Sequence, residues 1–283
     1  MPAKPAVDLV ALEQRRARSL GLDPPPMLRS GTDAVTFLRR VGIALRYGAG
    51  AGLPLASMYH AASGPERDDA ALIHAIEVTN HVIETADGIE VNVIADRVCL
   101  VDRAVAPHLY TLVRRGRRVD DLSGLTLHAR TAYQLLREHK QITRGQLRDR
   151  LGIPATPKHD PAFVALDELQ RAMLVDRGPF EVRKKGVPYL SKEGYPFHFF
   201  HTVHADLAKA AGRSIDAAAL AFIGAYLSAA VVCKVKKMAT MFRQVLRAEE
   251  IERTLAKLAA SGTIEMAGRG AAQVAVWSGA RQP

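Results

Sequence analysis

The chain has 283 residues, 48% of them apolar, enough for one large domain or two to three small ones with real cores. Lysine and arginine outnumber aspartate and glutamate by 39 to 29, a formal charge of +10 that favours a polyanionic partner, nucleic acid first. Cys99 and Cys233 lack any paired Cys/His spacing, no apolar run approaches the ~20 residues of a membrane span, and "MPAKPAVDLV" has no signal-peptide core. No disulfide framework, zinc finger or membrane contact is expected, and the setting implied is cytoplasmic and, with DNA as partner, nucleoid-associated.

Residues 1–31 read as an N-terminal arm, a short charged helix "DLVALEQRRARSLGL" ended by the prolines of "DPPPM". A first, irregular unit spans 32–120. It opens with an N-cap at Thr32 and a helix carrying Val35, Phe37, Leu38, Val41 and Leu45, then a glycine-rich turn "GAGAGLP". A helix "DDAALIHAIEVTNHVIET", a β-like run "IEVNVIADRVCLV" and a helix near "RAVAPHLYTLVRR" follow.

From there the sequence repeats itself, over 121–200 and 201–283. The first copy is helix "TLHARTAYQLLREH", short helix "ITRGQLRDRLG", long helix "DPAFVALDELQRAML" and hairpin. The second is "SIDAAALAFIGAYLSAA", "CKVKKMATMF", "AEEIERTLAKLAASG" and "TIEMAGRGAAQVAVW". The fold expected is mostly α with small β-hairpins, built of tandem winged-helix units, each a helix-turn-helix plus a wing. In the first copy Thr143 caps and Gly152 ends the short helix, Leu147 and Leu151 face inward, and the long helix buries Phe163, Leu166, Leu169 and Met173. In the second, Val235, Met238, Phe242, Ile251, Leu255 and Leu258 form the core, with Gly262 as the stop.

Double-stranded DNA needs cations that reach phosphates around a helix able to enter the major groove. The first copy offers Arg144 and Arg148 on its short helix, Lys158 and His159 before the long one, and Arg183, Lys184 and Lys185 on the wing. The second offers Lys234, Lys236, Lys237, Arg243 and Arg247. The alternative is that Arg148 and Arg150 pair with Asp149 or neighbouring acids and only solvate the surface. "RRGRR", Arg114 to Arg118, sits where it crosses a phosphate backbone or keeps a loop soluble. His198, His201 and His204, three apart, could line one helical face; beside Phe197, Phe199 and Phe200 they fit an inter-domain contact better than a metal site, and neither metal nor cofactor is expected.

The run from "GIEVNVIADRVCLVDRAVAPHLYTLV" through "LRDRLG" and "ALDELQRAMLVDRG" to the second repeat resembles the AlkZ/YcaQ-like winged-helix DNA glycosylases, most closely their shorter AlkZ-related members. The resemblance implies a concave body that holds duplex DNA and removes alkylated or crosslinked bases. Active members carry a Gln-x-Gln or Gln-x-Asp pair in the N-terminal half. This sequence departs there: Gln14 is the only glutamine before Gln134, and "VGIALRYGAG" holds no amide or carboxylate. Catalysis is therefore open. Glu90 and Asp96 are weak substitutes that read better as surface carboxylates. Two other readings stay open, a non-enzymatic winged-helix transcription regulator and a protein-interaction module.

Overall fold

The computed structural model describes residues 8–23, 28–48, 52–64, 69–154, 160–177, 196–209 and 214–279. Helix α1 (Leu9–Ser19) is capped by Asp8 and lies against the C-terminal part of the chain, where Ser19 donates to the Ala229 carbonyl at 2.5 Å.

Ser30, not Thr32, caps α2 (Gly31–Val41). Its hydroxyl accepts from the Asp33 N–H while the Asp33 carboxylate accepts from the Ser30 N–H, a reciprocal capping box. Gly42, at φ +69°, ends the helix, so Leu45 falls not on its face but in strand β1 (Ile43–Leu45). After the glycine-rich stretch, β2 (Ala56–Ser57) runs parallel to β1 and leads into α3 (Met58–Ser63) and α4 (Asp69–Glu84). The β-like run is a hairpin, β3 (Gly88–Ile94) and β4 (Arg97–Asp102). Its two turn residues, Ala95 and Asp96, have φ of 54° and 53°, the left-handed pair that a two-residue hairpin requires.

Helix α5 (Ala106–Arg114) leads into the arginine run, whose first two arginines are engaged within the protein while Arg117 and Arg118 are exposed. Arg114 is buried and donates to the carbonyls of Ala172 and Arg118, Arg117 donates to the carbonyl of Val113, and Arg118 pairs with Asp120. Arg115 reaches α13 (Ala248–Ala260), donating to both Glu250 oxygens at 2.7 and 2.8 Å. The hydrogen bond from Arg115 is the main reason that the Glu250 carboxyl is held down to about 2. A carboxylate depressed in the folded state stabilises it above the ordinary glutamate range and loses that contribution as pH falls towards about 2. The wild type is expected to lose stability across that acid window and Glu250→Gln to flatten the loss; equal slopes in denaturant titrations at several pH values would contradict the pairing.

The next segment holds α6 (Leu127–His139), β5 (Ile142–Thr143), α7 (Arg144–Leu151), α8 (Pro161–Arg171), β6 (Val175–Asp176) and β7 (Pro196–Phe199). Thr143 and Gln146 form a capping box at α7, and Gly152 closes that helix in the left-handed conformation. Phe163, expected in the core, is 52% exposed, because the buried face of α8 runs through Ala162, Ala165, Leu166 and Leu169. Short helices α9 (Phe200–Val203) and α10 (Ala205–Lys209) connect to α11 (Ile215–Ala230), β8 (Val232–Lys234), α12 (Val235–Phe242), α13, β9 (Ile264–Ala267) and β10 (Val274–Trp277).

The order helix, strand, helix, helix, strand, strand thus occurs twice in a mostly helical chain, and a third time in the first segment with the extra strand β2 inserted after β1. The sheet orders are β2-β1-β4-β3, β5-β7-β6 and β8-β10-β9, so each time the last strand of the set lies between the strand after the first helix and the strand before it in sequence, with β2 added at the edge of the first sheet. One face of the first sheet, with Ile43, Leu45, Ile89, Val91, Cys99 and Val101, shares a core with α5, α11, α12 and α13. Its other face, through Ala44 and Leu100, packs on α2, α3 and α4. The middle segment has its own core around Tyr133, Leu136, Leu147, Leu166 and Leu169. Met173, expected in that core, is buried in the shared one instead, and stitches the two together.

Candidate nucleic-acid interface and the adjoining cleft

The cations singled out in the sequence separate into three sets. Arg144 and Arg148 both turn to Asp160, the N-cap of α8: Arg148 Nε donates to both carboxylate oxygens at 3.2 Å, and Arg144 Nε lies 3.7 Å away. Arg148 thus pairs with a nearby acid, Asp160 rather than Asp149. Burial pushes the Asp160 carboxyl up, but the bonds from Arg148 and from the Phe163 N–H, with the two arginine charges, hold it below the usual range. Lys158, His159, Arg183, Lys184 and Lys185 lie outside the described residues.

Lys234 and Lys236 are exposed and Lys237 is half-buried at the start of α12, and none of the three makes an ion pair among the described residues. Arg243, just past α12, pairs with Asp96, while the Arg247 N–H is capped by Glu250 at 2.8 Å. Asp96 also receives Arg171 of α8 at 3.2 Å and the side-chain amide of Gln244. The tip of the first hairpin therefore clasps the middle and last segments.

The histidines do not share a helix. His198 is on β7, and His201 and His204 are on or next to α9. His204 Nε2 lies 2.7 Å from the Asp176 carboxylate and its Nδ1 lies 3.1 Å from Arg103, a tie between segments. Burial pulls His198 and His201 below the ordinary imidazole value. No group of three His, Cys, Asp or Glu among the described residues is arranged to hold a metal ion.

The strongest polar cluster is buried under the first sheet. Strand β3 alternates, so Ile89, Val91 and Val93 enter the shared core while Glu90 and Asn92 face the other way. Glu90 is 3% exposed, which corrects its reading as a surface carboxylate. It is held by Arg46, itself buried and bound also to Asn80 of α4, and by Arg177 at 2.6 Å. A lone buried carboxylate is prohibitively costly, and two guanidinium groups offset that cost. Arg46 follows β1 directly, so the stretch "GIALRYG" does supply a buried polar group, a cation where an amide or carboxylate was sought.

Beside this cluster a cleft of about 280 Å³ opens between the sheet face and α8. Its apolar walls are Tyr47, Val98, Phe163, Leu166 and Phe197, and its polar lining is Asn92, Asp167, Gln170, Arg144 and Arg177. Asn92 donates to Asp167, whose other oxygen accepts from Arg171 Nε at 2.7 Å. The Oδ1 atom of Asn92 and the Nε2 atom of Gln170 are buried with no hydrogen-bond partner among the described residues.

The fold is similar to that of a DNA glycosylase. The likeness is to the solved structure of Streptomyces sahachiroi DNA glycosylase AlkZ, with a TM-score of 0.54 over 96% of this chain and 70% of that one. Identity to AlkZ is 12%, so the likeness is one of fold. No protein-family model and no curated protein matches the sequence. Asn92, Asp167, Gln170, Arg177 and Arg46 escaped the sequence reading. The one local signal was the pair Glu90-x-Asn92, two polar residues interrupting an apolar strand on the same face. Asn92, the partner of Asp167 on α8, lies 75 positions away in sequence, and nothing local announces it.

Proposed function

We propose that the chain binds double-stranded DNA through three tandem winged helices and acts in DNA repair in the manner of a glycosylase. The observation that carries this reading is the cleft at the junction of the first sheet and α8, a partly enclosed polar centre in a protein whose fold is like that of a DNA glycosylase. The repeated element order, with the last strand central in every sheet, supports the winged-helix assignment. Of the boundaries 1–31, 32–120, 121–200 and 201–283, that at 120/121 falls between α5 and α6, whereas those at 31/32 and 200/201 fall one residue inside α2 and α9. Lys234, Lys236 and Lys237, together with the wing residues Arg183, Lys184 and Lys185 and with Lys158 and His159, are the phosphate contacts of this reading. Arg144 and Arg148 brace α7 against α8 through Asp160. Action at the nucleoid follows from the partner, and no helix among the described residues is long and apolar enough to cross a membrane.

Hydrolysis of an N-glycosidic bond needs a group that orients water and a negative field for the oxocarbenium-like sugar. Glu90 and Asp96 are each engaged by two arginines. Asp167 is the carboxylate that lines the cleft. Base release from an alkylated duplex is expected from the wild type and is expected to fall about 10²-fold or more in Asp167→Asn. Duplex affinity across a salt series, measured beside it, should be unchanged by that substitution. Tight, selective binding of one short undamaged site with no base release would favour a transcription regulator.

A further inference from the structure

Helix α1 is docked on the body of the protein. Ser19 donates to the Ala229 carbonyl, Leu20 is buried in the core that α2, α3 and α4 share with the first sheet, and Leu12, Arg16 and Ala17 are half-buried. Positions 12, 16, 19 and 20 recur at helical spacing and form the inward face. The outward face carries Gln14, Arg15 and Arg18, all exposed. Arg15 and Arg18 are three residues apart, so their side chains leave the helix as neighbours. Neither side chain makes an ion pair or a hydrogen bond among the described residues.

The docking joins α1 to the lysines at the start of α12. Helix α1 packs against α11 and β8, and the buried thiol of Cys233 on β8 lies within electrostatic reach of Glu13 and Arg16 of α1 and of Lys237 of α12. Residues more than two hundred positions apart in sequence thus gather their cations at one junction of the fold. Acids are scarce there. The stretch "KVKKMATMFRQ" has none, and the one acid within α1, Glu13, is taken by Arg16 at 3.0 Å. By contrast Arg118, 85% exposed, pairs with Asp120, and Arg39, 68% exposed, pairs with Asp87. Like charges gathered without counter-charges repel one another in the free protein, and a polyanion relieves that repulsion.

From these observations we infer that α1 is a second phosphate-binding element, with Arg15 and Arg18 extending the surface of Lys234, Lys236 and Lys237 along the backbone of one duplex. The inference rests on the DNA-binding reading above and deepens it, since it makes the N-terminal helix part of the interface. Such contacts fix the register and orientation of the protein on the duplex and carry no base preference. The competing occupant is an anionic membrane, because Leu9 and Val10 at the other end of α1 are exposed as well. Two apolar residues are a small fraction of the apolar face that a membrane-lying helix buries, and the lysines of the patch come from a different element, which favours the duplex.

The test uses the full chain and a short undamaged duplex, with affinity measured across a salt series. Arg15→Gln/Arg18→Gln is expected to lower the slope of log affinity against log salt by about 2, and by about 5 when Lys234, Lys236 and Lys237 are neutralised as well. Arg15→Lys/Arg18→Lys keeps the charge and should keep the wild-type slope. The glutamine variant should melt no lower than the wild type, because it removes unpaired charge from a crowded surface, so a folding defect cannot imitate the result. An unchanged slope in the glutamine variant, or an equal fall in the lysine variant, overturns the inference and leaves the DNA reading standing. Wild-type binding to phosphatidylserine vesicles that the glutamine variant loses while its slope on DNA stays unchanged assigns α1 to a membrane and overturns the inference equally. No binding of the duplex by the wild type overturns the DNA reading and the inference with it.

Discussion

Glu90→Leu is expected to cost the fold about 3–5 kcal/mol, a large share of the net stability of an ordinary domain. The carboxylate is 3% exposed and sits between Arg46, 1% exposed, and Arg177. Its removal takes a carboxylate away from the buried Arg46 guanidinium, which is also bound to the neutral oxygen of Asn80. Arg177, 20% exposed, can turn outward, so the cost falls mainly on Arg46. The double variant Arg46→Met/Glu90→Leu should recover much of the loss, because apolar groups of similar size commonly replace a buried ion pair without harm. Urea unfolding followed by circular dichroism measures both. A single variant within about 1 kcal/mol of wild type, or a double variant no better than the single, would show that the pair is not the closed unit described.

The second large effect is on DNA binding. Neutralising Lys234, Lys236 and Lys237 together is expected to lower the slope of log affinity against log salt by about 3, roughly one counterion for each phosphate that the variant leaves unneutralised. At low salt the affinity itself should fall about tenfold or more. These residues are the natural choice because they sit at the start of α12 and make no ion pair among the described residues. Substitution of Arg243, engaged by Asp96, should change the slope less and the stability more. A triple variant with an unchanged slope would falsify the placement of duplex DNA against α12.

What was legible in the sequence was local. Thr143 with Gln146 caps α7, Gly152 stops it, Ser214 precedes α11, and the apolar spacing of Ile251, Leu255 and Leu258 places the buried face of α13. Each signal lies within one or two turns of its effect. The first unit was harder, because a glycine at position 42 splits an apolar run that is helical before it and extended after it. Periodicity reads the residues alike on both sides. The site was least legible. Phe163 has the composition of a core residue and stands in a cleft, and Glu90 has the composition of a surface residue and is buried. In both cases the neighbour that decides comes from far along the chain, Arg46 for Glu90 and the first sheet for α8. The arginines at 114 to 118 teach the same point in reverse. A run that looks like a phosphate contact is spent on the carbonyls of Val113, Ala172 and Val245 and on Glu250.

The core shared by the first sheet and α11 also bears on how the chain is made. Strand β4 ends at Asp102, and of the helices that cover its apolar face only α5 follows at once, while α11 begins at Ile215. At about 5–20 residues per second, synthesis of the intervening stretch takes on the order of ten seconds. During that interval the core around Ile89, Val91 and Val101 has α5 and then Met173, Phe200 and Leu207, but not α11 to α13. A chain arrested before α11 is expected to leave part of that apolar face uncovered, and so to aggregate more readily than the full chain.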